Sequence, residues 1–140
     1  MYILIIDGQG GRIGRALAEV VLKELPEAEL AAIGTNAIAT SNMLKSGVKE
    51  AATGEYPVVV CAPKADFILG PVGIAVAGSL MGEVTPQMAG AVGLSPAKKI
   101  LIPMNRCETL IAGVTDAPVS ELVRTAVEMV KRAVNAKKGS

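Results

Sequence analysis

The chain has 140 residues, 51% of them apolar, a net charge of +1 and no histidine. This length makes one domain with a full core. The near-neutral charge removes the electrostatic case for nucleic acid, and the missing imidazole excludes Ser-His and Cys-His catalysis and most zinc sites. The aromatics are Tyr2, Tyr56 and Phe67 alone. Base stacking has little to work with, and the core must come from Ala, Val, Ile, Leu and Met, as in buried parallel sheets.

Residues 2–6 are an apolar run of strand length. A glycine-dense turn follows, Asp7-Gly8-Gln9-Gly10-Gly11, and Arg12-Ile13-Gly14-Arg15-Ala16 opens a helix. Strand, glycine loop and helix are the geometry that presents backbone N–H groups to a phosphate. The strict Gly-x-Gly-x-x-Gly pattern fails because position 13 is Ile, whereas Gly8-x-x-Gly11-x-x-Gly14 fits. Gly8 is expected to make the tight turn and Gly14 to let helix and strand pack closely. Gly11 is expected to leave room for a pyrophosphate, so that Gly11→Asp blocks binding without harming the fold. Without a ligand, the same loop is a sharp structural turn. Arg12 faces either solvent or a ligand 2′-phosphate. Asp7 is expected to accept loop N–H bonds; its alternative role is to hold Mg²⁺.

The first helix is predicted over residues 12–24, before Pro26, with Ile13, Leu17, Val20, Val21 and Leu25 at helical spacing. A second strand covers residues 29–33 and ends at Gly34-Thr35-Asn36. Dinucleotide folds place a ribose-binding acid near here, about twenty residues past the glycines. This chain has Thr35 and Asn36 instead, with Asn36 read as a helix cap. A helix over residues 37–45 and a polar loop over 47–55 follow. Residues 57–61 and 65–69 read as two strands, but the three residues between them are too few for a parallel crossover. Gly70-Pro71-Val72-Gly73 resembles a second turn into a helix, over residues 74–81. Thr85 as cap and Pro86 at the first position open another helix. Residues 99–103 and 109–114 read as strands flanking Met104-Asn105-Arg106-Cys107, and residues 119–137 as the last helix. The expected architecture is a single Rossmann-like three-layer α/β sandwich over residues 1–136 with a frayed tail at 137–140. Its sheet is mostly parallel, with an antiparallel edge hairpin near the C-terminus.

Cys61 and Cys107 are too far apart for a Cys-x-x-Cys motif and read as reduced, buried thiols. The start lacks a basic region, and the longest uncharged run, residues 67–82, is short for a membrane span and broken by glycines. A cytoplasmic protein that binds neither membrane nor nucleic acid is expected. That run also holds Ile74, Val76, Ala77, Leu80 and Met81, which as a helix would be apolar on every side. A homo-oligomer with this helix at its interface follows, and Ala77→Arg would split it.

The motif Asp7-Gly8-x-x-Gly11-x-x-Gly14 is similar to that of extended and atypical short-chain dehydrogenases. Gly8-x-x-Gly11-Arg12-Ile13-Gly14-Arg15 resembles the opening of dihydrodipicolinate reductases. Both imply NAD(P) binding. Their catalytic features have no counterpart here: Val60 stands four after Tyr56, where a lysine is needed, and histidine is absent. Over nearly its full length the chain resembles a small bacterial family known as domain of unknown function 3842, through Ile6-Asp7-Gly8-Gln9-Gly10-Gly11, the segment from Gly34-Thr35-Asn36 to Ser41, Gly70-Pro71-Val72-Gly73-Ile74 and Ile102-Pro103-Met104-Asn105-Arg106-Cys107. That resemblance implies a stand-alone protein with a Rossmann-like loop and supplies no activity.

Open α/β sheets bind ligands beyond the carboxyl ends of their strands. The expected site therefore joins Asp7, Gly8, Gln9, Gly10, Gly11, Arg12, Ile13 and Gly14 with Gly34, Thr35, Asn36, Gly70, Pro71, Gly73, Asn105 and Arg106. Arg106 is the candidate clamp for a phosphate or carboxylate. The expected ligand is a nucleotide or dinucleotide, NADP or NAD, with no separate substrate domain. With no acid near Gly34, Arg12 points to NADP. The alternatives are an interaction subunit without ligand and a Mg²⁺-dependent phosphate-ligand enzyme using Asp7.

Overall fold

The computed structural model describes residues 1–104, 109–114 and 116–139. Five strands alternate with five helices: β1 (Tyr2–Asp7), α1 (Arg12–Glu24), β2 (Glu29–Gly34), α2 (Ala37–Leu44), β3 (Glu50–Thr53), α3 (Glu55–Cys61), β4 (Phe67–Pro71), α4 (Pro86–Leu94), β5 (Lys98–Ile102) and α5 (Val119–Lys138). The sheet order is β3-β2-β1-β4-β5 and every pairing is parallel. β1 lies in the middle, with Ile5 opposite Ala32 on one side and Leu69 on the other.

Strand alternation sorts the core into two layers. Ile3 and Ile5 of β1 face a cluster with Leu17 and Val21 of α1, Met43 of α2 and Val127 of α5. Leu4 and Ile6 face the opposite cluster, with Val58 of α3 and Met88 and Val92 of α4. Helices thus cover both faces of a parallel sheet in a Rossmann-like three-layer sandwich, and the central strands β1 and β4 are buried along nearly their whole length.

The expected elements in the first 45 residues and in α4, β5 and α5 appear within one or two residues. Three others need correction. The valines of Pro57–Cys61 belong to α3, not to a strand. Pro57 sits in the first helical turn, where its missing N–H costs nothing, and the chain continues as a 3-10 turn over Ala62–Lys64. The third strand lies instead within the polar stretch before it, at Glu50–Thr53, pairing with β2 along the sheet edge. The crossover from β3 to β4 thereby gains the length a parallel connection requires.

The helix expected over residues 74–81 is absent. A 3-10 turn at Val72–Ala75 leads into consecutive turns. Ile74 and Leu80 from this stretch are buried in the core, while Val76, Ala77 and Met81 are exposed. The interface helix, and with it the basis for Ala77→Arg, is removed. Residues 109–114 form a turn rather than a strand, so no antiparallel hairpin exists among the described residues. Cys61 is a half-buried free thiol, and no described helix is long and apolar enough to cross a membrane.

Candidate functional site at the carboxyl edge of the sheet

The loop between β1 and α1 is built around the carboxylate of Asp7, which is 2% exposed. Its Oδ1 accepts from the Gly8 N–H at 2.7 Å and its Oδ2 from the Gly14 N–H at 2.7 Å. The cap residue of α1, Gly11, has φ 69°. A Cβ there would lie 2.5 Å from the Ala39 carbonyl oxygen of α2. The cap position must therefore be bare of side chain, and Asp7 supplies the missing acceptor from four residues upstream. Burial raises the Asp7 pKa, the N–H bonds from Gly14 and Gly8 oppose the rise, and the charge of Glu83 adds to it.

These contacts revise the expected roles of the glycines. Gly11 is required by the approach of α1 to α2 rather than by a phosphate, so Gly11→Asp would damage the fold. Gly8 has no positive φ; the left-handed residues of the turn are Gln9 and Gly11. Gly8 is needed for space, since a Cβ would meet Thr35, Glu83 and Leu80 at 2.8 Å or less. Gly14 does serve close packing, against Asp7 and Met43. Gly10 differs from all of them. Its Cβ would meet nothing nearer than the Arg12 side chain at 3.9 Å, and its φ is ordinary.

The ends of β1 and β2 are stitched together. The Thr35 N–H donates to the Asp7 carbonyl at 2.9 Å, Asn36 Nδ2 to the Gln9 carbonyl at 3.0 Å, and Asn42 Nδ2 to the Gly10 carbonyl at 2.9 Å. Asn36 also caps α2, its Oδ1 accepting from the Ala39 N–H at 2.8 Å, as expected. Gly34 lies against Thr40, a Cβ there being 2.5 Å from the Thr40 nitrogen. Gly70, Pro71 and Gly73 lie at the end of β4, but all are buried. Gly70 packs on the Ile6 carbonyl, and Gly73 accepts from Ser79 Oγ. Asn105 and Arg106 lie outside the described residues.

Glu83 completes the arrangement and is not foreseen from the sequence. The turns after β4 carry it over the glycine loop. Its Oε1 accepts from the Gln9 N–H at 2.8 Å, Thr35 Oγ1 at 2.6 Å and Asn36 Nδ2 at 2.9 Å. Partial burial raises its pKa, but the bonds from Thr35, Gln9 and Asn36 outweigh this and hold it below the usual glutamate range. Its partners lie 47 to 74 residues away in sequence, so no local pattern announces it.

Three openings surround the loop. One of about 300 Å³ follows residues 7–13. A second, of about 720 Å³, lies between Gln9, Gly10, Asn36, Ile38, Met81 and Glu83. A third, of about 750 Å³, runs between α1 and α2 past Arg12, Arg15, Asn42 and Lys45. Gly10 borders all three. Arg12 is exposed and makes no ion pair among the described residues. Arg15 is held by Glu19 and Asn42. No group of three or more Asp, Glu or Cys side chains placed to hold a metal occurs among the described residues.

A parallel α/β sandwich with a glycine-rich first loop and an edge of openings is a Rossmann-like protein in class. The family model described as Domain of unknown function (DUF3842) matches residues 2–135, and the chain belongs to that family. A search of functionally curated proteins gave no match.

The Glu83 contacts set a pH dependence. A carboxyl with a lowered pKa contributes stability above its unfolded value and loses it as pH falls through the folded value. The stability gap between the wild type and Glu83→Gln should therefore narrow in urea unfolding between about pH 7 and about pH 3. A gap that widens on acidification would refute the assigned contacts.

Proposed function

We propose that the protein binds a nucleotide or dinucleotide of the NAD(P) type at the loop from Gly8 to Gly14. Gly10 carries the reading. It borders all three openings, and neither its backbone angle nor its neighbours require glycine. A glycine that the fold does not need, beside a helix N-terminus, is what close approach of a phosphate calls for. The N–H groups of Gly10 and Arg12 have no backbone or side-chain acceptor among the described residues. They are the donors available, with the Arg12 guanidinium beside them.

One observation favours the alternative, an interaction subunit whose loop is only a turn: Gly8 and Gly14 already spend their N–H groups on Asp7. Mg²⁺ on Asp7 would have to displace those bonds, so metal-independent binding is expected. Gly10→Asp separates the readings, because it fills the approach to the loop without touching the core. Isothermal titration with NAD⁺ and NADP⁺ should show at least about a tenfold loss of affinity, about 1.4 kcal/mol. Unfolding should stay within about 0.5 kcal/mol of the wild type. Unchanged affinity, or no binding by the wild type, contradicts the proposal.

Self-association stands as a proposal on a different surface from the one expected. Tyr56, at 76% exposure, Val59 and Val60 lie uncovered on α3, an apolar patch of the kind that marks protein contacts. Light scattering should report a dimer or larger that Val60→Arg dissociates; a monomeric wild type at micromolar concentration contradicts it.

A further inference from the structure

We propose that Glu83 reads the ribose of the bound nucleotide, its carboxylate accepting from a free 2′,3′-diol and rejecting a ribose that carries a 2′-phosphate. This rests on the nucleotide reading above and goes further, because it names a recognition residue and the ligand chemistry it selects.

The position is defined by what holds the carboxylate. One oxygen, Oε1, is fixed by three donors from the two loops that converge at the ends of β1 and β2: the Gln9 N–H, the Thr35 hydroxyl and the Asn36 amide. The other oxygen, Oε2, has no hydrogen-bond partner among the described residues. A carboxylate anchored through one oxygen presents the second in a set direction, which is the pre-organisation that recognition of a hydroxyl pair needs. The three donors also hold its pKa below that of an ordinary glutamate, against the opposing effect of partial burial.

Its surroundings suit a nucleoside. Glu83 borders the crevice of about 720 Å³ with Gln9, Gly10, Asn36, Ile38 and Met81. Ile38 and Met81 are 73% and 93% exposed, a notable cost for two large apolar side chains flanking one opening. A flat base covered by them would remove that area from water. The ribose would then lie toward Glu83 and the phosphates toward Gly10 and the free N–H groups.

The chemistry decides between ligands. A diol donates two O–H bonds to a carboxylate, and such charge-assisted bonds are the stronger class. A 2′-phosphate replaces a donor by a multiply charged acceptor facing a like charge, which is repulsive at contact distance in a partly buried site. The sequence around Gly34 holds no acid, and that lack points to NADP. Glu83 fills that lack from the turns after β4 instead of from the end of β2.

Two comparisons test this, both on the full-length protein by isothermal titration. On the wild type, ADP should bind about tenfold or more tightly than 2′-deoxy-ADP, and AMP about tenfold or more tightly than adenosine 2′,5′-bisphosphate, the scale of one hydrogen bond to a charged group. This arm needs no variant and is immune to misfolding. On Glu83→Gln, whose amide oxygen can still accept the three anchoring bonds, both preferences should collapse to within about threefold. Equal affinities on the wild type, or a preference that survives Glu83→Gln in a protein that still unfolds in one cooperative transition, overturns the ribose assignment alone. Tighter ADP binding by Glu83→Gln also overturns it, since Glu83 would then be an internal stand-in for a ligand anion. Absence of heat with every nucleotide on the wild type overturns the nucleotide reading and this inference together.

Discussion

The carboxylate of Asp7 is the interaction on which the carboxyl edge of the sheet depends. It stands at the end of the central strand, shielded from water, and holds the N–H groups of Gly8 and Gly14. Without it, the first turn of α1 would begin with unpaired donors at a bare glycine cap, each costing about 1–3 kcal/mol if left unsatisfied in the interior. The cap is bare because α2 passes directly over it. The close approach of two helices thus forces glycine at position 11, and the glycine in turn forces an acceptor at position 7. The loop that looks made for a ligand is first made for the packing of α1 on α2.

That ordering explains which parts of the loop are left over for function. The inward-facing N–H groups are consumed by Asp7 and the Gln9 N–H by Glu83. Gly10 and Arg12 face outward. Two carboxylates at the base of the site would oppose an anion if their charge reached it undiminished. Each is instead bonded by two or more donors, which spread that charge over the loops. The turns carrying Glu83 are strained to reach it: Leu80 and Met81 both have left-handed backbones, at φ 56° and 57°, a conformation that costs non-glycine residues about 1–2 kcal/mol each. Burial of Leu80 against the loop offsets that cost.

Much of this was legible in the residues. The run into Asp7, the cap at Asn36 and the Thr85-Pro86 helix start are local signals, and each describes its own neighbourhood correctly. The failures have physical causes. Val58-Val59-Val60 reads as strand because β-branched residues favour one, yet one valine alone needs to be buried, and Pro57 suits a helix start. β3 is short and mostly uncovered, so it carries no apolar pattern. Residues 74–81 have helical composition, but the chain must turn repeatedly to lower Ile74 and Leu80 into the core, and left-handed residues break any helix there. Glu83 was invisible because its partners are set by topology rather than spacing.

A nucleotide that binds this edge would meet the outward face of the loop, and not its Asp7-bound interior. Backbone amide NMR during titration with ADP tests it residue by residue. The signals of Gly10 and Arg12 should move most, while those of Gly8 and Gly14, already bonded to Asp7, should move little. Large shifts at Gly8 and Gly14 with none at Gly10 would contradict it.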